Sequence, residues 1–318
     1  MKHRLALGLL FVALSSLSAC AVLSLFSGST AMDFLGWTNA YKLTNGEVEL
    51  VVVPKIGGRI MGYNFVGGTN VVDINPANKG KEIAFNPPKQ VVYYGGAKMW
   101  SAPQSEWSWP PIAYWENAPH HIAQFGPHRL QMAGPDDAAS MVKFTRDISL
   151  APTGATVTLH HYMDNVTSTQ RQCAIWAINP APLPALLLAP VGSSNWGDTA
   201  QYQTTNGVMY YQANPGSGGK IFVVTNRPWV AALQGTNLWV NWGEPPASMT
   251  FARNEAPVEI WHGSVSGHAF VELELQGPLE TLAPGEKAAY TMYWALARTD
   301  GTGIDAALAA LKELGVIE

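Results

Sequence analysis

Cysteine is nearly missing from this 318-residue chain: Cys20 and Cys173 are the only two. That excludes a disulfide-stapled scaffold and a zinc site of paired Cys-x-x-Cys form. Charge is scarce too, with Asp, Glu, Lys and Arg making up 13 % of the chain, where about 25 % is usual for soluble proteins. The formal net charge of −4 leaves no basic footprint, which argues against a nucleic-acid partner. Phosphate-binding and dinucleotide fingerprints are also lacking. The segment "GSGGK" at 216–220 does not have the Walker spacing, and "GSVSG" at 263–267 lies between two strand-like runs rather than on a nucleophile elbow. Histidines gather as His120, His121 and His128 and again as His160 and His161, without an HxxxH pair. No cofactor and no metal site is expected.

An apolar run opens the chain. Lys2 and Arg4 precede "LALGLLFVAL", which is too short to serve as a permanent membrane span. This predicts a signal peptide over residues 1–19. It ends in "LSAC", which resembles the bacterial lipobox, so cleavage before Cys20 and lipidation of Cys20 are expected, palmitate among the acyl chains; an ordinary secretory signal with an incidental cysteine is the alternative. Ala21 in place of an aspartate implies the outer membrane. The reading is a cell-envelope protein held to the membrane through Cys20, with residues 20–37 as lipidated cysteine and tether. Cys173, in the apolar run "CAIWAI", then has no disulfide partner and reads as a core residue.

Beyond the tether, short extended runs dominate: "EVELVVVP", "RIMGYNF", "ATVTLHHYMDN", "CAIWAINP", "GVMYYQA", "KIFVVTN", "LWVNWG", "PVEIWHG", "AFVELELQG" and "AAYTMYWALA". They are rich in β-branched and aromatic residues and punctuated by Gly, Pro and Asn. With no helical periodicity between them, they predict an all-β antiparallel sandwich rather than a βαβ sheet. The exception is "GIDAALAALKEL", where Ile304, Leu308, Leu311 and Leu314 recur at helical spacing and predict one short C-terminal helix. No composition shift divides residues 38–318, which read as one domain.

Two features point to chemistry. In "GHAFVELELQGP", residues 267–278, period-2 alternation sets Val271, Leu273 and Leu275 on one face and Glu272 and Glu274 on the other. The carboxylates either face solvent or line a cleft, where one acts as a general base or accepts hydrogen bonds from sugar hydroxyls. The second feature is tryptophan, with 12 in the chain, of which Trp100, Trp107, Trp109 and Trp115 crowd a Pro-broken segment. Flat aromatic faces suit the C–H faces of sugar rings, and they equally suit the closing of a sandwich end. In "YYGGAKMWSAPQSEW", Lys98, Gln104 and Glu106 add groups able to hydrogen-bond hydroxyls.

Three segments together resemble the galactose-mutarotase-like superfamily: "LTNGEVELVVVPKIGGRIMGYNFVGGTNVV", "YYGGAKMW" and "VELELQGPLETLAPGE". The arrangement is most similar to a bacterial group of that superfamily classed only as a domain of unknown function, and it spans about residues 40–298. The resemblance implies a large antiparallel β-supersandwich that binds carbohydrate on a concave face. It sets Gly57 and Gly58 turning before Arg59, and Glu274 in the place of the catalytic glutamate. Where family epimerases carry two histidines, this chain resembles them with Tyr94 and Trp176 instead. A tyrosine of ordinary pKa is a poor proton donor partner at neutral pH, whereas Trp176 suits stacking.

The leading expectation is an envelope-tethered carbohydrate-binding protein with Arg59, Tyr94, Lys98, Trp100, Gln104, Glu106, Trp107, Trp176, Glu272 and Glu274 around the groove. The alternatives are a sugar epimerase, lyase or hydrolase with Glu274 as base and Glu272 or Glu106 as second carboxylate, and a structural lipoprotein whose aromatic loop docks a protein partner.

Overall fold

The computed structural model describes residues 28–83 and 92–318. The signal peptide, Cys20 and the first part of the tether lie outside them. Three antiparallel sheets account for the architecture. The smallest joins β1 (Gly28–Phe34), β2 (Trp37–Thr44), β3 (Val48–Val53) and β4 (Arg59–Phe65) in sequence order. Residues 28–34, expected in the tether, are therefore a strand. Met32 and Phe34 pack against the buried cluster around Trp37, Val51 and Val53, which gives this stretch an apolar side to cover.

The second sheet has seven strands. Its order is β12 (Ser194–Gly197), β15 (Gly219–Val224), β18 (Val258–Val265), β19 (His268–Gln276), β10 (Arg171–Pro182) and β20 (Glu280–Leu282), with β5 (Lys98–Ala102) also paired to β10. The third, ten-stranded sheet runs β13 (Gln203–Thr205), β14 (Val208–Ala213), β11 (Ala185–Pro190), β16 (Trp229–Gln234), β17 (Asn237–Gly243), β21 (Lys287–Arg298), β9 (Val157–Asn165), β8 (Val142–Leu150), β7 (Arg129–Ala133) and β6 (His121–Gly126). The molecule is the expected β-supersandwich.

The main core lies between the two large sheets. Val271, Leu273 and Leu275 of β19 and Val258 and Ile260 of β18 enter it from one side. Leu159 and Met163 of β9 and Met292 and Trp294 of β21 enter from the other. Cys173 is buried in this layer with a free thiol. Alternation also separates the two adjacent histidines of β9: His161 is fully buried, while half-buried His160 meets the Thr291 hydroxyl at 3.1 Å.

Opposite the core, the ten-stranded sheet carries a second apolar cluster beneath the C-terminal helix, α2 (Ile304–Glu313). Leu308 and Leu311 of α2 pack there with Leu186, Leu188, Leu233 and Leu238. Because the sheet is covered on both faces at this place, β11 reads as the unbroken run "ALLLAP" instead of alternating. The Pro-broken aromatic segment holds a five-residue helix, α1 (Ala113–Asn117). Gly57, at φ 76°, lies against it so closely that a Cβ would sit 2.5 Å from the Glu116 carbonyl oxygen.

Candidate functional site

Register fixes the carboxylates of β19. Glu272 is level with Trp261 of β18 and Pro180 of β10, and Glu274 is level with Glu259 and Ile178. Residues level with one another across a sheet share a face. Trp176, Lys98 and Trp100 belong to the same face through the β10–β5 pairing, as do Lys220 and Phe222 through the β15–β18 pairing. With the core occupying the other side, this face floors a cleft of about 1220 Å³. Glu274 is 1 % exposed and Glu272 is 8 % exposed, so the carboxylates are nearly withdrawn from water.

Burial of that many charges requires pairing. Lys220 Nζ lies 2.7 Å from Glu259 Oε2 and 2.7 and 2.8 Å from the two oxygens of Glu274, joining three strands in one ion cluster. The Trp176 indole N–H donates to Glu274 at 2.9 Å. Lys98 Nζ stands between Glu116, at 3.3 Å, and Glu272, at 3.7 Å, and lies 4.3 Å above the Trp100 ring. Glu116 accepts further hydrogen bonds from the Trp100 indole and the Arg59 guanidinium.

The glutamates are tuned apart by these surroundings. Burial works to raise the Glu116 carboxyl, but the charges of Lys98 and Arg59 and the hydrogen bonds from Trp100 and Arg59 outweigh it and hold the group down at about 2. Burial raises Glu272 to about 7, with Lys98 opposing and the charge of Glu274 adding to the rise. Glu259 is likewise raised by burial, against the pull of Lys220 and with a further push from Glu274. Glu272 thus exchanges its proton near neutrality while Glu116 stays ionised.

The far end of the cleft is built differently. His268, at the start of β19, places Nε2 2.9 and 3.0 Å from the two oxygens of buried Asp73. The Tyr93 hydroxyl donates to the same carboxylate at 2.9 Å, and its ring stacks on Phe270 with centroids 4.1 Å apart. Gly95, at φ 84°, brings this segment against the Asp73 carbonyl more closely than any Cβ would allow. Half-buried Trp261 lies over Gly263, where a Cβ would meet the ring at 2.6 Å. Trp109 is the open rim, with 63 % of its surface exposed. Among the described residues, no group of three or more His, Cys, Asp or Glu is placed to hold a metal ion.

Residues 39–297 match the family described as Domain of unknown function (DUF4380). The chain belongs to the DUF4380 family. Among solved structures, the DUF4380 chain is similar to a galactose mutarotase related enzyme from Lactobacillus acidophilus, with 10 % identity, a TM-score of 0.56, and coverage of 83 % of this chain and 100 % of that one. A galactose mutarotase-like protein from Clostridium acetobutylicum matches at 9 % identity and TM-score 0.55, over 86 % of this chain and 99 % of that one. A TPR-domain containing protein from Parabacteroides distasonis matches at 14 % identity and TM-score 0.57 over 81 % of this chain, which spans only 47 % of that longer protein. Likeness at such identities shows the galactose-mutarotase-like fold. A comparison with curated proteins found no match.

In this DUF4380 chain, Glu272, Glu274, Lys98, Trp100, Gln104 and Trp176 come together around the cleft. Trp107 lines an adjoining lobe of about 430 Å³ with Gln104, and its indole donates to the Ser101 carbonyl at 2.7 Å. Three expected groove residues are placed elsewhere. Arg59 is fully buried behind Glu116 and reaches carbonyl oxygens of Ile56, Gly95 and Glu116, because the turn at Gly57 and Gly58 directs it inward. Glu106 is exposed and 3.5 Å from Arg171, outside the cleft lining. Tyr94 packs edge-on against Trp37 beneath the small sheet; neighbours in extended chain face opposite ways, so Tyr93 takes the cleft side.

Glu116, Lys220, Glu259, Trp261 and the Asp73–His268 pair were not legible as a site. Only His268 carried a signal, since alternation along "HAFVELEL" sets residues 268, 270, 272 and 274 on one face.

Proposed function

We propose that the cleft binds carbohydrate. The observation that carries this is a wide cleft lined by Trp261, Phe222 and Trp109 together with paired glutamates and lysines. Ring faces cover the C–H faces of sugars, and buried carboxylates accept from vicinal hydroxyls in fixed directions. The fold it shares with the mutarotase-related proteins supports the same reading by analogy. The test is saturation-transfer NMR of the soluble domain against sugars, with Glu274→Gln and Trp261→Ala. Transfer lost in both variants, with native melting temperatures, supports binding at this cleft. Transfer that persists in both places any sugar elsewhere.

The near-neutral proton exchange of Glu272 favours a second reading, acid–base catalysis on the bound sugar. Residues two apart on a strand face lie about 7 Å from each other, within the separation glycoside hydrolysis uses. The Trp176 indole N–H does not ionise near neutral pH, so Glu272 would be the acid and Glu274 the base. Anomer exchange in the same NMR experiment that disappears in Glu272→Gln would establish this. A bacterial envelope location through lipidated Cys20 completes the proposal and rests on "LSAC" followed by Ala21.

A further inference from the structure

Resting on the carbohydrate reading, we infer that the cleft is built for an uncharged oligosaccharide held at two polar stations, and that Asp73, His268 and Tyr93 form the second. The first station is the Glu272–Glu274 floor with its lysines. His268 and Glu272 share a face of β19 four residues apart, which separates the stations by about 13 Å at ~3.3 Å per residue. That is farther than one sugar ring reaches. Between them, Phe270 lies on the floor with the Tyr93 ring stacked on it. The order along this face of β19 is polar, aromatic, polar. A volume of about 1220 Å³ exceeds the roughly 300–1,000 Å³ of ordinary small-molecule pockets.

The second station has the marks of a designed hydrogen-bonding site. Asp73 is 3 % exposed and does not itself line the cleft, yet it fixes His268, whose side chain is 22 % exposed and does. With Nε2 engaged by the carboxylate, the imidazole plane is set and the other ring nitrogen remains available to a ligand hydroxyl. Tyr93 restrains the same carboxylate from a second direction. A histidine serving only to close the β18–β19 turn has no need of a buried aspartate drawn from 195 residues away. An acidic sugar would find no free cation on the floor among the described residues, because Lys220 is taken by Glu259 and Glu274 and Lys98 by Glu116 and Glu272.

The experiment is isothermal titration of the detergent-solubilised full chain with mono- to hexasaccharide ladders of α-1,4-glucan, β-1,4-glucan and chitin. For at least one ladder, affinity is expected to rise about 10-fold or more from monosaccharide to tetrasaccharide, a difference of about 1.4 kcal/mol. His268→Ala should pull that ratio toward one, and Tyr93→Phe, which keeps the ring and loses the hydroxyl, should reduce it partway. Equal affinity for all lengths overturns this inference and leaves the carbohydrate reading standing. So does a length dependence that survives both substitutions in normally melting protein. Silence across all the ladders defeats the carbohydrate reading and this inference with it.

Discussion

Glu272 gives the most direct measurement at the residue scale. Its folded pKa, about 7, lies above the ordinary value of 4.5 because burial disfavours the charge. Between those two values the folded chain binds more protons at this site than the unfolded chain. The contribution to stability is therefore complete below about 4.5 and is lost as pH rises toward 7. Glu272→Gln keeps the shape and abolishes the titration. Chemical denaturation across pH 5 to 8 should show wild-type stability falling relative to the variant by on the order of 2 kcal/mol. Parallel curves would mean that Glu272 is solvated and ionised throughout.

Lys220 supplies the complementary case. Lys220→Met leaves Glu259 and Glu274 confronting each other without a cation, an expected loss of about 3 kcal/mol at neutral pH. Protonation relieves the repulsion, so the deficit should shrink at pH 5, and Glu259→Gln in the same chain should recover much of it. The pair Glu272 and Glu274 was visible in the sequence because period-2 alternation acts within one strand. Lys220 was not, since its meeting with Glu274, 54 residues away, depends on the pairing of β15, β18 and β19.

Among the elements, strands that alternate cleanly or carry aromatic runs were readable, and so was α2, whose apolar stripe repeats at helical spacing. The strand β8 was harder to read because Arg146 and Asp147 are both buried within it and interrupt the pattern. The short helix α1 had no signal at all. It has no side-chain cap, and its place is set by tertiary contacts: the Trp115 indole donating to the Ser140 carbonyl at 2.9 Å, Glu116 on Arg59, and Gly57 pressed against its backbone. Glu116 reaches Lys98 only because α1 is held there. Gly57→Ala adds a Cβ at a left-handed φ, 2.5 Å from the Glu116 carbonyl oxygen. The expected result is a destabilisation of about 2 kcal/mol or more and a displaced α1. Sugar binding, read by the same titration, should weaken even at temperatures where the variant remains folded. An unchanged melting temperature would show that α1 yields without strain.

Across the whole molecule, the outer faces of the two large sheets are put to different uses. The ten-stranded sheet is covered by α2 and turns apolar there, whereas the seven-stranded sheet leaves its outer face open, polar and aromatic as the cleft. The described residues that line the cleft run from Asn75 to Glu274, whereas the expected anchor is at Cys20. Anchoring and binding should therefore separate. If Cys20 carries the lipid, the full-length protein made in a bacterium will partition into the detergent phase of Triton X-114, and Cys20→Ser will not be processed to a lipidated form. Labelling with an alkyne fatty acid should mark only the wild type. A single acyl chain binds membranes weakly, so firm partitioning also implies more than one chain on the cysteine. Sugar affinity of the soluble domain starting after Cys20 should equal that of the detergent-solubilised full chain. Recovery of the wild type in the aqueous phase, with a mature N-terminus other than residue 20, would identify an ordinary secretory signal and leave the cleft's chemistry untouched.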